Sequence, residues 1–184
     1  MRVRATHAAG VLVLAAALGW LEEAHASTQV RGVQATSRRL IADSLTRSET
    51  IRRLARTIEA SDVIVYVDLR RDLASHVVGA MRFVASTTTH RVVRIALNQD
   101  YAWPALIAFL GHELQHACEL AAARGVNSAE RVRAYYRQFG IRVDRDAYDS
   151  REAQAITRRV EAELRGTTSE EERLALLRHG SVAR

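Results

Sequence analysis

The sequence contains no lysine, one cysteine and one proline, and aromatic residues make up only 5% of its 184 residues. Because Cys118 is alone, an internal disulfide is excluded, and the fold must be held by its core, by a metal, or by both. The scarcity of proline and of Gly/Ser-rich stretches argues against a long flexible linker. The chain also lacks an internal repeat. Its length therefore predicts one domain with a sizeable core.

All 27 basic residues are arginines, and the formal net charge is +6. A nucleic-acid-binding protein typically concentrates its basic residues in a patch or along one face. Here they are spread along the chain, mixed with acidic residues and accompanied by few aromatics. We therefore predict a solvated basic surface and no nucleic-acid partner. A weak attraction to anionic envelope surfaces is the one interaction that this charge suggests.

The first 26 residues have the layout of a secretory signal peptide. Arg2 and Arg4 give a positive start, and residues 8–21 form an apolar run too short to span a bilayer comfortably. Small residues at Ala24 and Ala26 then offer a cleavage site. An uncleaved membrane anchor is the alternative, but two glutamates follow the apolar run at once. We predict cleavage after Ala26 and an exported protein, periplasmic or secreted, with no transmembrane segment in the mature chain.

The remaining sequence predicts a helix, a small sheet and then several helices, which is an α+β pattern. Residues 27–46 are polar and are expected to form a loose N-terminal arm, with residues 47–184 as the single domain. Strands are predicted over 62–70, 79–87 and 91–98, and helices over about 47–60, 105–123, 128–140, 149–165 and 169–180. The short connection at residues 88–90 indicates a hairpin, so the sheet should be at least partly antiparallel.

Residues 112–116 read His-Glu-Leu-Gln-His inside an unbroken helical pattern. His112 and His116 lie one turn apart on the same face of such a helix, where both imidazoles can reach one ion. Zinc binds neutral imidazole nitrogens at about 2.0–2.1 Å. Glu113 stands beside the first histidine, where it can take a proton from a metal-bound water. The spacing therefore predicts one Zn²⁺ per chain with a base next to it.

The alternative is an ordinary core helix whose histidines are satisfied by neighbouring groups. The helix is apolar on several sides, for example at Leu106, Leu110 and Leu114, so we expect it to be mostly buried. Two histidines and a glutamate buried without partners would be costly, and a metal removes that cost. Gly111 is a poor helix former, and close packing against the sheet is the reason we predict for it.

A catalytic zinc site needs three protein ligands and one open position. Glu152 is the main candidate for the third ligand, because apolar residues share its side of the later helix. The alternative for this residue is the last position of a capping box that begins at Asp149. Glu119 lies one turn beyond His116, but three residues at that spacing converge poorly on one ion. The remaining candidates are Asp144, Asp146 and His90.

The segment HELQHACE, followed by a separate helix with Glu-Ala-x-Ala at residues 152–155, resembles the zincin metallopeptidases of the gluzincin type. The resemblance covers two short segments, about 106–120 and 148–156. It implies that His112, His116 and Glu152 bind zinc and that Glu113 is the catalytic base. It also implies a small twisted sheet whose edge strand lines the cleft, followed by the active-site helix and a ligand-bearing helix. The extension that marks the metzincin branch does not follow the second histidine.

Zincins usually carry a tyrosine or histidine that donates to the oxyanion. Tyr148, one turn before Glu152, is the first candidate for this role, with Tyr101, Tyr135 and Tyr136 as alternatives. The strand at 91–98 is expected to bind an extended peptide through backbone hydrogen bonds.

Together these features predict an exported zinc peptidase that acts on a peptide or protein substrate. The alternative is an exported, envelope-associated metal-binding module that keeps the zincin fold without turnover. Glu113 favours the enzyme, since a purely structural metal site has no use for a base there. The sequence does not indicate an oligomeric state.

Overall fold

The computed structural model describes residues 29–144 and 147–180, with side chains as far as residue 166. The predicted signal peptide and Asp146 lie outside the described residues. The architecture is α+β, as predicted. In chain order the elements are β1 (Val30–Gly32), α1 (Ala35–Arg47), α2 (Glu49–Glu59), β2 (Val63–Arg70), β3 (Gly79–Ser86), β4 (Arg91–Asn98), α3 (Trp103–Ala122), α4 (Ala129–Phe139), β5 (Ile141–Arg142), β6 (Tyr148–Asp149) and α5 (Arg151–Gly180).

The main sheet has the strand order β1-β2-β4-β3. The first two pairings are parallel, whereas β3 and β4 form the predicted antiparallel hairpin. Because β4 lies between two partners, its backbone groups are committed to the sheet. The prediction that residues 91–98 bind an extended substrate is therefore wrong. The strand that lies at the edge of the sheet, beside α3, is β3.

One apolar core joins the sheet to the helices. Alternate residues of β2 point into it, and Val63, Val65 and Val67 have no exposed surface. Helix α3 contributes a long buried face and packs extensively against α5. A Cβ atom on Gly111 would stand 3.0 Å from a methyl group of Val160, so the glycine permits this close contact of α3 with α5. The sequence suggested that Gly111 packs against the sheet, but in the structure it packs against the helix α5.

The N-terminal segment is ordered structure and not a loose arm. Its residues form β1, which extends the parallel part of the sheet, and most of α1. Leu40, Ile41 and Leu45 recur at helical spacing and are buried in the core. The polar residues on either side of them, at 36–39 and 46–47, make this apolar stripe hard to recognise in the sequence.

The C-terminal part forms one continuous helix. We expected Gly166 to end a helix and Ser169 to begin another, but α5 runs unbroken from Arg151 to Gly180. A glycine inside a helix costs only about 1 kcal/mol relative to alanine, which flanking helix formers can offset. None of the helices in the described part of the chain has the length and apolarity that crossing a membrane requires.

A half-buried carboxylate ties α5 to the start of α2. The Glu163 carboxylate accepts hydrogen bonds from the hydroxyls of Ser48 (2.5 Å) and Thr50 (2.6 Å). Ser48 is also the N-cap of α2, since its hydroxyl accepts from the backbone N–H of Ile51. A negative charge at a helix N-terminus is favourable, so this contact stabilises both helices in their packed positions.

The buried guanidinium of Arg91 fixes the end of α3 to the start of β4. Two of its nitrogens bind the carboxylate of Asp62 at 2.6 and 2.8 Å. Another donates to the carbonyls of Leu120, Ala123 and Val126 at the C-terminal end of α3. The first two also accept a backbone N–H in the turn that ends the helix, and a cation is favourable at this end. Arg91 therefore holds in place the helix that carries the histidines.

We expect Arg91→Met to lower the free energy of unfolding by about 3 kcal/mol, because it removes the buried cation that three carbonyls and the Asp62 carboxylate share. Chemical denaturation followed by circular dichroism would measure this. Arg94→Met is the matched control on the same strand: its nearest carboxylate oxygen, on Asp68, is 4.0 Å away, and we expect a loss of about 1 kcal/mol or less. Equal losses in both variants would contradict the assignment.

Candidate metal centre

Three side chains from two parts of the chain converge at the middle of α3. The donor atoms of His112, His116 and Asp149 all lie within 4.8 Å of one another. The Oδ1 atom of Asp149 is 3.1 Å from Nε2 of His112 and 3.4 Å from Nε2 of His116. The two histidines come from one face of α3, as predicted, and the aspartate comes from β6.

These separations suit a tetrahedral metal ion. Ligand atoms about 2.0–2.1 Å from a tetrahedral zinc lie about 3.3 Å from each other, close to the two distances measured here. Two imidazoles and one carboxylate also form a donor set that zinc accepts, with a fourth position left for a water or a substrate atom. The three residues therefore fit a catalytic type of zinc site.

A hydroxyl group sets the tautomer of His112. Its Nδ1 atom is 3.0 Å from Oγ1 of Thr157. The Thr157 hydroxyl donates its own proton to the carbonyl of Ala153 at 3.1 Å, so it must accept from Nδ1–H of the histidine. With its proton on Nδ1, His112 directs the lone pair of Nε2 toward Asp149 and the candidate site.

A carboxylate plays the same part for His116. The Nδ1–H group donates to Oε2 of Glu119 at 3.0 Å. Burial raises the pKa of Glu119, but hydrogen bonds from His116, Ser150 and Tyr136 outweigh it and lower the pKa, so the group is an anion. The Tyr136 hydroxyl donates to the same oxygen at 2.9 Å and the Ser150 hydroxyl to the other oxygen at 2.6 Å. Glu119 thus orients a ligand and is not itself one of the three.

The third candidate ligand, Asp149, is fixed by its own neighbours. Its Oδ1 accepts from the backbone N–H of Ser150 at 2.6 Å and its Oδ2 from the amide of Gln154 at 3.0 Å. Burial raises its pKa, but hydrogen bonds from His116 and Gln154 outweigh this and lower the pKa to about 2. Behind it, a Cβ atom on Gly140 would stand 2.9 Å from the Asp149 carbonyl oxygen, so this position accepts only glycine without a backbone shift.

The structure does not bring Glu152 into this group, contrary to our expectation for the third ligand. The hydroxyl of Ser150 caps α5 by accepting from the backbone N–H of Ala153, so the helix begins one residue later than a cap at Asp149 would imply. The inward face of α5 then falls on Ala153 and Ile156, and Glu152 points to solvent. Sequence reasoning considered Asp149 only as the first residue of a possible capping box and so missed its place in the site.

The tyrosine at the site is Tyr136, one of the alternatives, and not Tyr148. Its hydroxyl is 3.1 Å from Nδ1 of His116, on the side of the ring that faces away from the candidate metal. In this position it holds Glu119 and His116 in place. Tyr148 pairs with Arg142 in the β5–β6 ribbon. Neighbouring residues of a strand point to opposite faces, so Tyr148 is directed away from the face that carries Asp149.

Glu113 lies next to the candidate ligands without belonging to them. It is 4% exposed and packs against the edge strand β3, where a Cβ atom on Gly79 would stand 3.2 Å from its Oε1. Burial raises its pKa to about 7, although the charge of His116 and a backbone hydrogen bond at Met81 act in the opposite direction. A carboxyl group that titrates near neutrality beside a metal site is suited to accept and release a proton.

Comparison with known proteins returns no match: no family model, no curated protein and no solved structure is significantly similar to this chain. The interpretation of the site therefore depends on its own geometry and chemistry. The lone cysteine takes no part in it. The Sγ atom of Cys118 approaches the carbonyl of Leu54 in α2 at 3.6 Å, on the opposite side of α3, and burial raises the pKa of this thiol to about 12.

We expect the protein to bind about one zinc ion per chain and Asp149→Ala to lose most of it, since the substitution removes a charged ligand. Glu152→Ala is the matched control, and because Glu152 faces solvent it should bind zinc as the wild type does. Elemental analysis after dialysis against zinc would measure both. Loss of zinc in Glu152→Ala with retention in Asp149→Ala would reverse the assignment, and a wild type without zinc would remove it.

Without metal, the two histidines differ in charge. Burial lowers the pKa of His116, but hydrogen bonds with Asp149 and Glu119 prevail and raise it from 6.5 to about 10. Burial, followed by the charge on its neighbour, lowers the pKa of His112. Because the folded pKa of His116 exceeds the unfolded value, its ion pairs stabilise the metal-free fold fully below pH 6.5 and less as the pH rises toward 10.

Zinc must displace the proton from His116, so its apparent affinity should rise with pH. We expect an increase of about tenfold between about pH 6 and about pH 7, corresponding to one proton released. Competition with a chromophoric chelator at fixed ionic strength would measure the affinity, and calorimetry in two buffers would count the proton. An affinity that does not change over this interval would show that His116 is already neutral in the metal-free protein.

Proposed function

We propose that this chain is an exported zinc-dependent peptidase of the zincin class. The observation that carries the proposal is the buried carboxyl of Glu113, which lies beside His112, His116 and Asp149 without being one of the ligands. A metal site that only stabilises the fold needs no base of this kind. The zincin assignment is further supported by the order of elements, with an antiparallel edge strand beside the helix that carries the histidines.

In the reaction we propose, Glu113 moves the proton. A zinc ion in this site would polarise the scissile carbonyl and lower the pKa of the attacking water. The Glu113 carboxylate accepts the proton of that water and then delivers it to the leaving amine nitrogen. Its buried position against β3 keeps bulk water away from this transfer. Burial raises the pKa of Glu113, which makes its carboxylate a stronger base.

The edge strand β3 is the element to which we assign the peptide backbone of the substrate. An extended peptide can add to an exposed sheet edge through main-chain hydrogen bonds. The Gly79 end of β3 lies against Glu113, so a peptide paired there would pass directly in front of the base. This role replaces the one that we first gave to β4.

The isosteric change Glu113→Gln tests the role of the base. We expect the variant to bind zinc as the wild type does and to lose about 10²- to 10⁴-fold in kcat, since a neutral amide cannot accept the proton. Hydrolysis of a quenched fluorescent peptide library would measure the rate. Glu152→Gln makes the same chemical change on an exposed residue and should retain full activity.

Two outcomes would count against the proposal. Full hydrolytic activity in Glu113→Gln would remove the mechanism. The absence of peptide cleavage by the zinc-loaded wild type, across a library of varied sequence, would favour the metal-binding module without turnover.

A further inference from the structure

The two faces of the main sheet differ in what covers them. The helices pack on the face to which Val65 and Val93 point, and both side chains are fully buried. Ile64, Tyr66 and Val92 alternate with them, point to the opposite face and keep exposed surface. Parallel strands are usually covered by helices on both faces. Among the described residues, the parallel strands β1, β2 and β4 have such a cover on one face alone, and we call the other one the outer face.

A row of four side chains crosses the outer face, one from each strand. Arg31 of β1 stands opposite Tyr66 of β2, and its Nη1 atom donates to the tyrosine hydroxyl at 3.2 Å. Tyr66 in turn stands opposite Arg94 of β4, and Arg94 stands opposite Arg82 of β3. Neighbouring strands lie about 4.7–4.9 Å apart, so the row is about 14 Å long. We call its three arginines, which are far apart in the sequence, the arginine row.

The positive charge of the arginine row is only partly balanced by acidic groups. The side chain of Arg94 is 40% exposed, and Arg31 and Arg82 are exposed as well. Asp68, the one acidic residue in these four strands, lies 4.0 Å from Arg94 and 3.7 Å from Arg70. Arg82 takes part in none of the ion pairs that the described residues form. Like charges directly opposite each other destabilise a sheet, so an anionic surface over Arg82 and Arg94 would relieve their repulsion.

Apolar side chains lie beside the arginine row. Ile64 and Val92 are paired on the outer face, two residues before Tyr66 and Arg94 on the same strands. Val84 is the extra residue of a β-bulge in β3 and is 53% exposed. It follows Phe83, which packs against the core, so it projects from the outer face. Arginine, tyrosine and apolar residues together are typical of a surface that meets the boundary between water and lipid.

We propose that the protein docks through the outer face on an anionic phospholipid bilayer, with the arginine row against the headgroup phosphates. The surface of such a bilayer is broad and negatively charged, and it attracts clustered arginines. Its boundary with the acyl chains also accepts apolar residues that lie beside the charges. The inference goes beyond the proposed function and does not rest on it.

Soluble polyanions fit the outer face less well. Proteins that bind single strands of nucleic acid offer several aromatic rings on which bases stack. The described strands place one ring on this face, that of Tyr66, and the Arg31 guanidinium already lies 5.8 Å from its centroid. A soluble chain would also leave Ile64, Val84 and Val92 in water. Helix α3 packs on the opposite face of the sheet, so a docked protein keeps the candidate metal centre away from the lipid.

Co-sedimentation with lipid vesicles tests the docking surface. The probes are vesicles of phosphatidylcholine alone and vesicles of phosphatidylcholine mixed with phosphatidylglycerol. Each arginine at an anionic surface strengthens partitioning about fivefold, so we expect the three to give a preference of about a hundredfold for the mixed vesicles. Because salt screens exposed charges, most of this preference should disappear at high ionic strength. Hydrolysis is not measured in any arm, so a failure here leaves the proposed peptidase untouched.

Variants of equal net charge locate the contact. Arg82→Gln combined with Arg94→Gln should weaken partitioning to the mixed vesicles about 25-fold. The matched control combines Arg53→Gln with Arg124→Gln, which removes two exposed arginines from α2 and from the turn after α3, on the helix side of the sheet. This control should partition as the wild type does. None of the four side chains is buried, so both variants are expected to fold, and circular dichroism and zinc content would check this.

Four results would overturn the inference. Equal losses in the two double variants would show an attraction to net charge without a defined face. The absence of partitioning at physiological ionic strength would remove the docking surface. Equal binding to both kinds of vesicle, unaffected by salt, would indicate insertion of an apolar segment instead. Heparin or single-stranded RNA that binds through the arginine row, while the mixed vesicles do not, would replace the bilayer as its partner.

Discussion

Helix α3 carries polar groups into an apolar core, and the surrounding elements are arranged around that constraint. Two histidines and a glutamate would be costly to bury without partners. Each of them has one: Thr157 from α5 for His112, Glu119 for His116, and the edge of β3 for Glu113. Contacts with these buried polar atoms therefore help to fix the positions of α4, α5 and β3.

Ser150 links these partners most directly. Its hydroxyl caps α5 through the backbone N–H of Ala153 and donates to Glu119, while its backbone N–H holds the carboxylate of Asp149. One residue therefore fixes the start of a helix, the orientation of one candidate ligand and the position of another. Hydrogen bonds within the protein thus hold the candidate ligands in one arrangement, which is what a precise site requires.

Much of the fold follows from patterns that act over a few residues. The alternation of valines gives β2, and the unbroken helical pattern after Pro104 gives α3, in agreement with the structure. Two features of the fold could not be predicted from such local patterns. The apolar stripe of α1 is diluted by polar residues, and its burial depends on β1 adding to the sheet, which is a long-range event. Gly166 looked like a helix end, because local propensity does not reveal the rest of a long helix.

The residues of the candidate site also include some that local sequence patterns predict and some that they do not. His112, Glu113 and His116 were predictable because their geometry is that of a single helix turn. Asp149 was not, since its position depends on a two-residue strand pairing and on a helix cap displaced by one residue. Such a displacement decides which acid faces inward, and neither local spacing nor composition encodes it. Tyr136 was named only as an alternative, as its role depends on where α4 packs.

Gly140 shows how far the identity of a distant residue can be set by backbone contact alone. It lies between the carbonyl oxygens of Tyr136 and Asp149, with no room for a methyl group. Both contacts are with backbone oxygens, so the demand for glycine at position 140 comes from the path of the chain and not from the aspartate side chain. A lineage could therefore exchange the aspartate without releasing position 140, and the glycine marks this path of the chain rather than the metal centre itself.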